Sequence, residues 1–147
     1  MDFKGKTVVI TGGSEGVGRA TAHAFANAGA NLVLAARTRK NLNGVAEELR
    51  DKTRVEIFAM DVSDTVACSD LLKKAQFEFG SVHVLVNNAG YHQRGSVLTV
   101  DPSDLAAMID VNLRGPIILS RLAIPMIKEA GEGAIINVAS LAGRTPV

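Results

Sequence analysis

The stretch TGGSEGVG (residues 11–18) directly follows the apolar run VVI. A glycine-rich turn between a strand and a helix is suited to bind phosphate, because the N–H groups of the helix start point at the anion and the helix dipole favours negative charge. Glycines also let the backbone approach a dinucleotide diphosphate without a Cβ in the way. The spacing is TGxxxGxG and not GxGxxG, so a plain tight turn is the alternative interpretation.

The end of the next apolar run carries residues that bear on the choice of nucleotide. A carboxylate at this point binds a ribose 2′-hydroxyl, but here the chain has Arg37 and no acidic residue. A guanidinium is suited to a 2′-phosphate, so we expect NADP(H) to be favoured over NAD(H), with Ser14 and Arg39 assisting. A solvated arginine that opens a helix is the alternative, and Glu15 is an unfavourable neighbour for a phosphate.

Polar residues also follow the third and fourth apolar runs. Asp61 is expected to accept the adenine amino group while Val62 packs on the base; helix capping beside Ser63 is the alternative. The segment NNAG (87–90) offers asparagines that tie strand ends together and small residues that leave room for a cofactor. Carboxyl ends of strands are where open α/β sheets bind ligands.

A proline inside a predicted helix frees one backbone carbonyl. Pro116 has no N–H to donate to the carbonyl four residues earlier, which belongs to Asn112. That carbonyl is then able to hold a water molecule; a simple kink is the alternative. Ser140 follows the last apolar run, and on its own a serine there indicates only a cap or a turn.

The elements that must position these residues alternate in type. Apolar strands are predicted at 7–11, 31–36, 55–60, 82–86 and 134–139, and helices at 19–28, 39–50, from Ser63 as N-cap to before Gly80, and from Pro102 to about Ala130. This pattern predicts one Rossmann-like α/β domain over residues 1–147, with a doubly wound parallel sheet of strand order 3-2-1-4-5.

Composition narrows the class of protein. The chain has 147 residues, 47% of them apolar, and a net charge of +1. We expect no nucleic-acid partner because no basic stripe is present, and no membrane association because no apolar run is long enough to span a bilayer. The single cysteine, Cys68, suits a reducing, cytoplasmic setting. The histidines and Cys68 have no metal-ligand spacing, so no metal site is expected.

Five ordered motifs together resemble the classical short-chain dehydrogenase/reductase family: TGGSEGVG, DVSD (61–64), NNAG (87–90), DVNLRGP (110–116) and INVASLAG (136–143). The likeness extends from Thr7 to the C-terminus and is nearest to the 3-oxoacyl-carrier-protein-reductase-like members. It implies an NADP(H)-dependent oxidoreductase that interconverts a carbonyl and an alcohol on a small-molecule substrate. A homo-oligomer is compatible with it.

The resemblance assigns roles to residues of this chain. It implies that Ser140 hydrogen-bonds the substrate oxygen and that Asn112 belongs to a proton relay, the two being the catalytic residues. The cofactor-binding set that it implies is Thr11, Gly12, Ser14, Gly16, Val17, Gly18, Arg37, Asp61, Val62, Asn88, Ala89 and Gly90.

The chain departs from the family in one respect. The family's acid/base motif, YxxxK, is not in these 147 residues, and the only tyrosine, Tyr91, lies directly after NNAG without a lysine four residues on. His92 is a conceivable substitute base, although a loop histidine is the simpler interpretation. We expect a reductase truncated before YxxxK, with the C-terminal part of the fold missing; a non-catalytic dinucleotide-binding or sensor subunit is the alternative.

Overall fold

The computed structural model describes residues 2–141. Strands and helices alternate along the chain, as the hydrophobic pattern predicts, and each strand is a short apolar segment. The elements are β1 (Thr7–Thr11), α1 (Gly16–Asn27), β2 (Asn31–Ala36), α2 (Arg39–Leu49), β3 (Val55–Ala59), α3 (Thr65–Phe79), β4 (Val84–Asn87), α4 (Pro102–Ile109), a π-helical turn (Asp110–Arg114), α5 (Gly115–Glu129) and β5 (Ala134–Asn137).

All five strands pair in parallel in the order β3-β2-β1-β4-β5. The predicted doubly wound sheet and its strand order are confirmed. Alternate side chains of the strands point to opposite faces, and each face has its own core. Val9 and Leu85 lie in the core with α3 and α5, whereas Ile10 and Leu34 lie in the core with α1 and α2.

Two helices start at residues other than those predicted. Helix α1 begins at Gly16 and not at the predicted Arg19. The N-cap of α3 is Asp64 and not Ser63: the Asp64 carboxylate accepts the N–H groups of Val66 and Ala67. The N–H and hydroxyl of Ser63 both donate to the Asp61 carboxylate instead.

The predicted long helix from Pro102 to about Ala130 is interrupted. Residues 110–114 form a π-helical turn, in which the Gly115 N–H donates to the Asp110 carbonyl five residues back. Helix α5 then continues to Glu129 and ends one residue before the predicted end. The turn ends two residues before Pro116 and contains Asn112, the residue whose carbonyl the proline cannot bond, so the missing N–H coincides with a local change in the helical hydrogen-bond pattern.

The sheet is covered unequally. Strands β1 and β4 are buried along their full lengths, whereas Ile136 of β5 is 41% exposed at the edge of the sheet. Within residues 2–141 no helix is both long and apolar enough to cross a lipid bilayer. Ala142 and Gly143, the last residues of the motif INVASLAG, lie outside the described residues.

Candidate functional site

A cleft of about 130 Å³ lies at the carboxyl edge of the sheet. The parallel order brings the ends of β1, β2, β3 and β4 to this edge, so segments far apart in sequence meet there. Seven of the residues implied to bind a cofactor line the cleft, namely Gly12, Ser14, Arg37, Asp61, Val62, Ala89 and Gly90.

The glycine loop is packed tightly against the end of β4. A Cβ on Gly18 would lie 2.1 Å from the Gly12 carbonyl oxygen and 2.5 Å from the Asn88 Nδ2, and a Cβ on Gly12 would lie 2.9 Å from the Ala89 Cα. Glycine is therefore required at both positions by the close approach of two backbones. At the start of α1 the surroundings are different: a Cβ on Gly16 would meet nothing within 4 Å.

Thr11 and Asn88 act as cross-links between strand ends rather than as cleft walls. The buried Thr11 hydroxyl donates to the Val86 carbonyl at 3.3 Å and accepts the N–H groups of Asn88 and Ala89, each at 3.1 Å. The Asn88 amide in turn donates to the carbonyls of Thr11 and Gly12. Both residues thus hold the loop and β4 in one arrangement.

A second cross-link joins β4 to β5. The Asn87 Nδ2 donates to the Asn137 Oδ1 at 2.8 Å and to the Ser120 hydroxyl at 3.2 Å. The expectation that the asparagines of NNAG tie neighbouring strand ends together is confirmed. Ser140 follows three residues after the end of β5 and is exposed.

Charges at the cleft are unevenly distributed. The Asp61 carboxylate accepts the N–H and the hydroxyl of Ser63 at 2.9 and 2.7 Å. These two bonds, together with the positive charge of Arg37, lower the pKa of Asp61, so it is ionised at neutral pH. Arg37 is exposed at the end of β2 and makes no ion pair with any residue that the structure describes.

The π-helical turn holds the Asn112 side chain against Tyr91, a residue that lines the cleft. The Asn112 Oδ1 accepts the Tyr91 N–H at 2.9 Å, and its Nδ2 donates to the Tyr91 carbonyl at 2.7 Å. On the other side of the turn, Arg114 donates to the Ser63 carbonyl at 3.0 Å. The turn is thereby attached both to the segment after β4 and to the segment after β3.

Sequence reasoning missed several residues of the cleft. Thr38, Asn41, Met60, Tyr91 and Val111 also line it. Thr38 and Asn41 are detectable from the sequence because they follow Arg37 within one helical turn. The place of Tyr91 depends on its contacts with α4 and Asn112, which no local pattern indicates.

The remaining candidate groups do not line the cleft. Val17 is 61% exposed at the start of α1. His92 is exposed in the loop after β4. Burial raises the pKa of the Cys68 thiol to about 11. Among residues 2–141 no group of three His, Cys, Asp or Glu side chains is arranged to hold a metal ion.

Comparison with known proteins decides the family. The family model described as short chain dehydrogenase matches residues 6–147. The chain belongs to the short-chain dehydrogenase family. A sulfoacetaldehyde reductase from Chromohalobacter salexigens is 40% identical over 95% of this chain and 56% of that protein.

Solved structures of short-chain dehydrogenases share the fold. L-Sorbose reductase from Gluconobacter frateurii, complexed with NADPH and L-sorbose, has a TM-score of 0.94 and 32% identity, covering 100% of this chain and 57% of that one. A metagenomic short-chain oxidoreductase in complex with NADP has a TM-score of 0.93 and 36% identity, covering 100% and 67%. This short-chain dehydrogenase chain spans about half the length of the curated relatives it matches, 48% and 56% for the first two.

Proposed function

We propose that the chain is the cofactor-binding part of an NADP(H)-dependent oxidoreductase that interconverts a carbonyl and an alcohol on a small-molecule substrate. The proposal includes residues 1–147 as a single cofactor-binding domain and a cytoplasmic location. The observation that carries it is the cleft at the carboxyl edge of the sheet, where the glycine loop meets Arg37 and Asp61. Its relatives are named reductases, and the two neighbours described above were solved with NADPH or NADP.

The residues present fit a dinucleotide. The tight packing of Gly12 and Gly18 holds the glycine loop close to the end of β4, whereas the space around Gly16 is open. At this helix start, the N–H groups and the helix dipole favour a diphosphate. Gly16, Val17 and Ser14 would hold the diphosphate. Thr11 and Asn88 would act by fixing the loop.

The preference for NADP(H) is argued from charge. Arg37 at the end of β2 would donate two hydrogen bonds to a 2′-phosphate, with Ser14 and Thr38 close by on the same wall of the cleft. The ionised Asp61, which lies beyond Arg37, would accept the adenine amino group, with Val62 beneath the base. Ala89 and Gly90 would leave room for the ribose and nicotinamide.

The chemistry is divided between cofactor and protein. A bound nicotinamide would supply or accept the hydride. In this chain, Ser140 would hydrogen-bond the substrate oxygen and Asn112 would hold the relay at the π-helical turn. Loss of NADPH absorbance with carbonyl substrates tests this oxidoreductase activity in the whole protein.

Cofactor binding is tested directly with the 147-residue chain. We expect saturable binding of NADPH by calorimetry or cofactor fluorescence, with NADH weaker. Arg37→Ala should weaken NADPH about 10–100-fold, since a hydrogen bond to a charged group contributes about 1.5–3 kcal/mol, and should leave NADH nearly unchanged. Arg121→Ala, an exposed arginine of α5, is the control. Equal loss of both cofactors in Arg37→Ala would refute the role of Arg37, and no binding by the folded chain would refute the proposed function.

A further inference from the structure

Tyr91 is joined to α4 by its side chain. The hydroxyl donates to the Asp104 Oδ1 at 2.9 Å, a better contact than the 3.4 Å distance to the Gln93 Oε1. Asp104 lies in the first turn of α4, whose N-cap is Asp101. The bond therefore connects the loop after β4 to helix α4, through a residue 13 positions later in the chain.

The backbone of the same residue is joined to the π-helical turn. Both its N–H and its carbonyl are bonded to the Asn112 side chain. An asparagine amide held at both ends has a single orientation, and here that orientation depends on where the Tyr91 backbone lies. A further contact joins the same loop to α4: the Gln93 N–H donates to the Met108 sulfur at 3.5 Å.

Tyr91 also lines the cofactor cleft, and Ala89 and Gly90 precede it in the chain. One side chain thus contacts α4, while its backbone contacts the turn that carries Asn112. We propose that Tyr91, through its hydroxyl bond to Asp104, is a positioning residue that holds Asn112 and the adjoining wall of the cofactor cleft in place. The part of this inference that concerns the cleft rests on the proposed cofactor function.

The protonation chemistry of Tyr91 is consistent with a positioning role and not with that of a general base. The hydrogen bond to the Asp104 carboxylate raises the pKa of the phenol, because the acceptor favours the neutral, donating form. Arg37, at the end of β2, acts weakly in the opposite direction. A catalytic tyrosine requires a pKa that is lowered toward neutrality. The Tyr91 hydroxyl is instead protonated at neutral pH and donates its hydrogen to Asp104.

The chain offers a direct optical test, because Tyr91 is its only tyrosine and it has no tryptophan. Alkaline titration of the phenol absorbance should give a pKa above the ordinary value of about 10. In Asp104→Asn the pKa should fall toward that ordinary value. In Asp51→Asn, an exposed carboxylate in the turn after α2, it should stay where it is. An ordinary phenol pKa in the unaltered chain would overturn the bond itself.

Positioning is then measured without any cofactor. The amide at position 91, which donates to Asn112, should exchange its hydrogen faster in Tyr91→Phe and in Asp104→Asn than in the unaltered chain or in Asp51→Asn. The unfolding midpoint of each variant in urea separates this local effect from global loss of stability. Unchanged exchange at position 91 would show that the hydroxyl bond does not hold Asn112 and would overturn the proposal.

Cofactor affinity completes the test. NADPH should bind Tyr91→Phe about 2–10-fold more weakly, the range expected for one net hydrogen bond. Its affinity for the unaltered chain should decline at high pH as the phenol ionises, a decline that Tyr91→Phe lacks and Asp104→Asn shifts to lower pH. Faster exchange with unchanged NADPH affinity would overturn the role at the cleft. Faster exchange in a chain that binds no nicotinamide cofactor would support the hold on Asn112 and refute the proposed function.

Discussion

Two threonines of β1 allow a sharp test of how the strand ends are held together. Thr7 and Thr11 lie at opposite ends of the same strand and are 0% and 1% exposed. The Thr11 hydroxyl makes three hydrogen bonds to the backbone of β4 and the segment after it. The Thr7 hydroxyl is buried and has no hydrogen-bond partner among residues 2–141. Substitution by valine changes each side chain by one atom while preserving its shape.

The expected effects of the two substitutions differ in sign. Thr11→Val leaves the N–H groups of Asn88 and Ala89 without an acceptor, and each such loss costs about 1–3 kcal/mol. Because both residues are half-buried, water compensates in part, and we expect a total loss of about 2–3 kcal/mol. Thr7→Val removes a buried hydroxyl that bonds no described residue, so stability should be unchanged or rise by up to about 1 kcal/mol.

Urea unfolding of both variants measures the difference, with thermal midpoints as a second readout. For a chain of this size the predicted loss in Thr11→Val corresponds to a drop of about 5–10 °C. Thr11→Ser, which keeps the oxygen, should recover most of the hydrogen-bond contribution. Amide exchange at Asn88 and Ala89 should accelerate only in Thr11→Val. Equal destabilisation by the two valine substitutions would refute the reasoning, because burial alone would then explain both.

Three further predictions concern a glycine, a histidine and a cysteine. Gly18→Ala should destabilise the chain and weaken NADPH binding, since its Cβ would lie 2.1 Å from a carbonyl oxygen. Gly44→Ala, on the open side of α2, should instead stabilise the chain by up to about 1 kcal/mol. Urea titration compares the two variants, and equal effects would contradict the steric argument. Burial and the charge of Lys6 lower the pKa of His83, whose Nδ1 accepts a backbone N–H at 3.0 Å. Its contribution to stability is therefore complete above the ordinary pKa of about 6.5 and is lost as pH falls below it; His83→Asn should flatten this part of the stability profile, and an unchanged slope between pH 7.5 and 5.5 would count against it. Cys68, with its raised pKa and full burial, should react with thiol reagents at neutral pH only as the chain unfolds; rapid labelling of the native chain would disagree with the structure.

Elements with strong local signals were predictable from the sequence. Strands such as 7–11 and 31–36 are continuous apolar runs, and their alternation with helices leads to a doubly wound sheet through general rules of handedness and connection. That residues at the carboxyl ends of the strands lie close together was predictable for the same reason, because parallel order brings those ends to one edge of the sheet. Seven of them now line one cleft.

Features set by competition between neighbours were harder to predict. Ser63 and Asp64 are both good N-cap residues; in the structure Asp64 accepts the helix N–H groups, while Ser63 donates to Asp61. The hydrogen bonds by which Thr11 and Asn88 join the ends of β1 and β4 link residues 77 positions apart, so no local pattern indicates them. The contact between Tyr91 and Asp104 depends on how the loop after β4 crosses α4, which no periodicity reveals.

The π-helical turn also has a geometrical consequence for the helices on either side of it. Each residue of an α-helix advances the chain by about 100° around the axis. One additional residue in a turn therefore rotates the side chains of α5 about the helix axis, relative to those of α4. That rotation turns Leu119 and Ala123 toward α3, where both are buried, while Asn112 faces the loop after β4. A single deletion within residues 110–114 would rotate α5 away from α3. The position of Asn112 and the packing of α5 therefore both depend on the length of this turn.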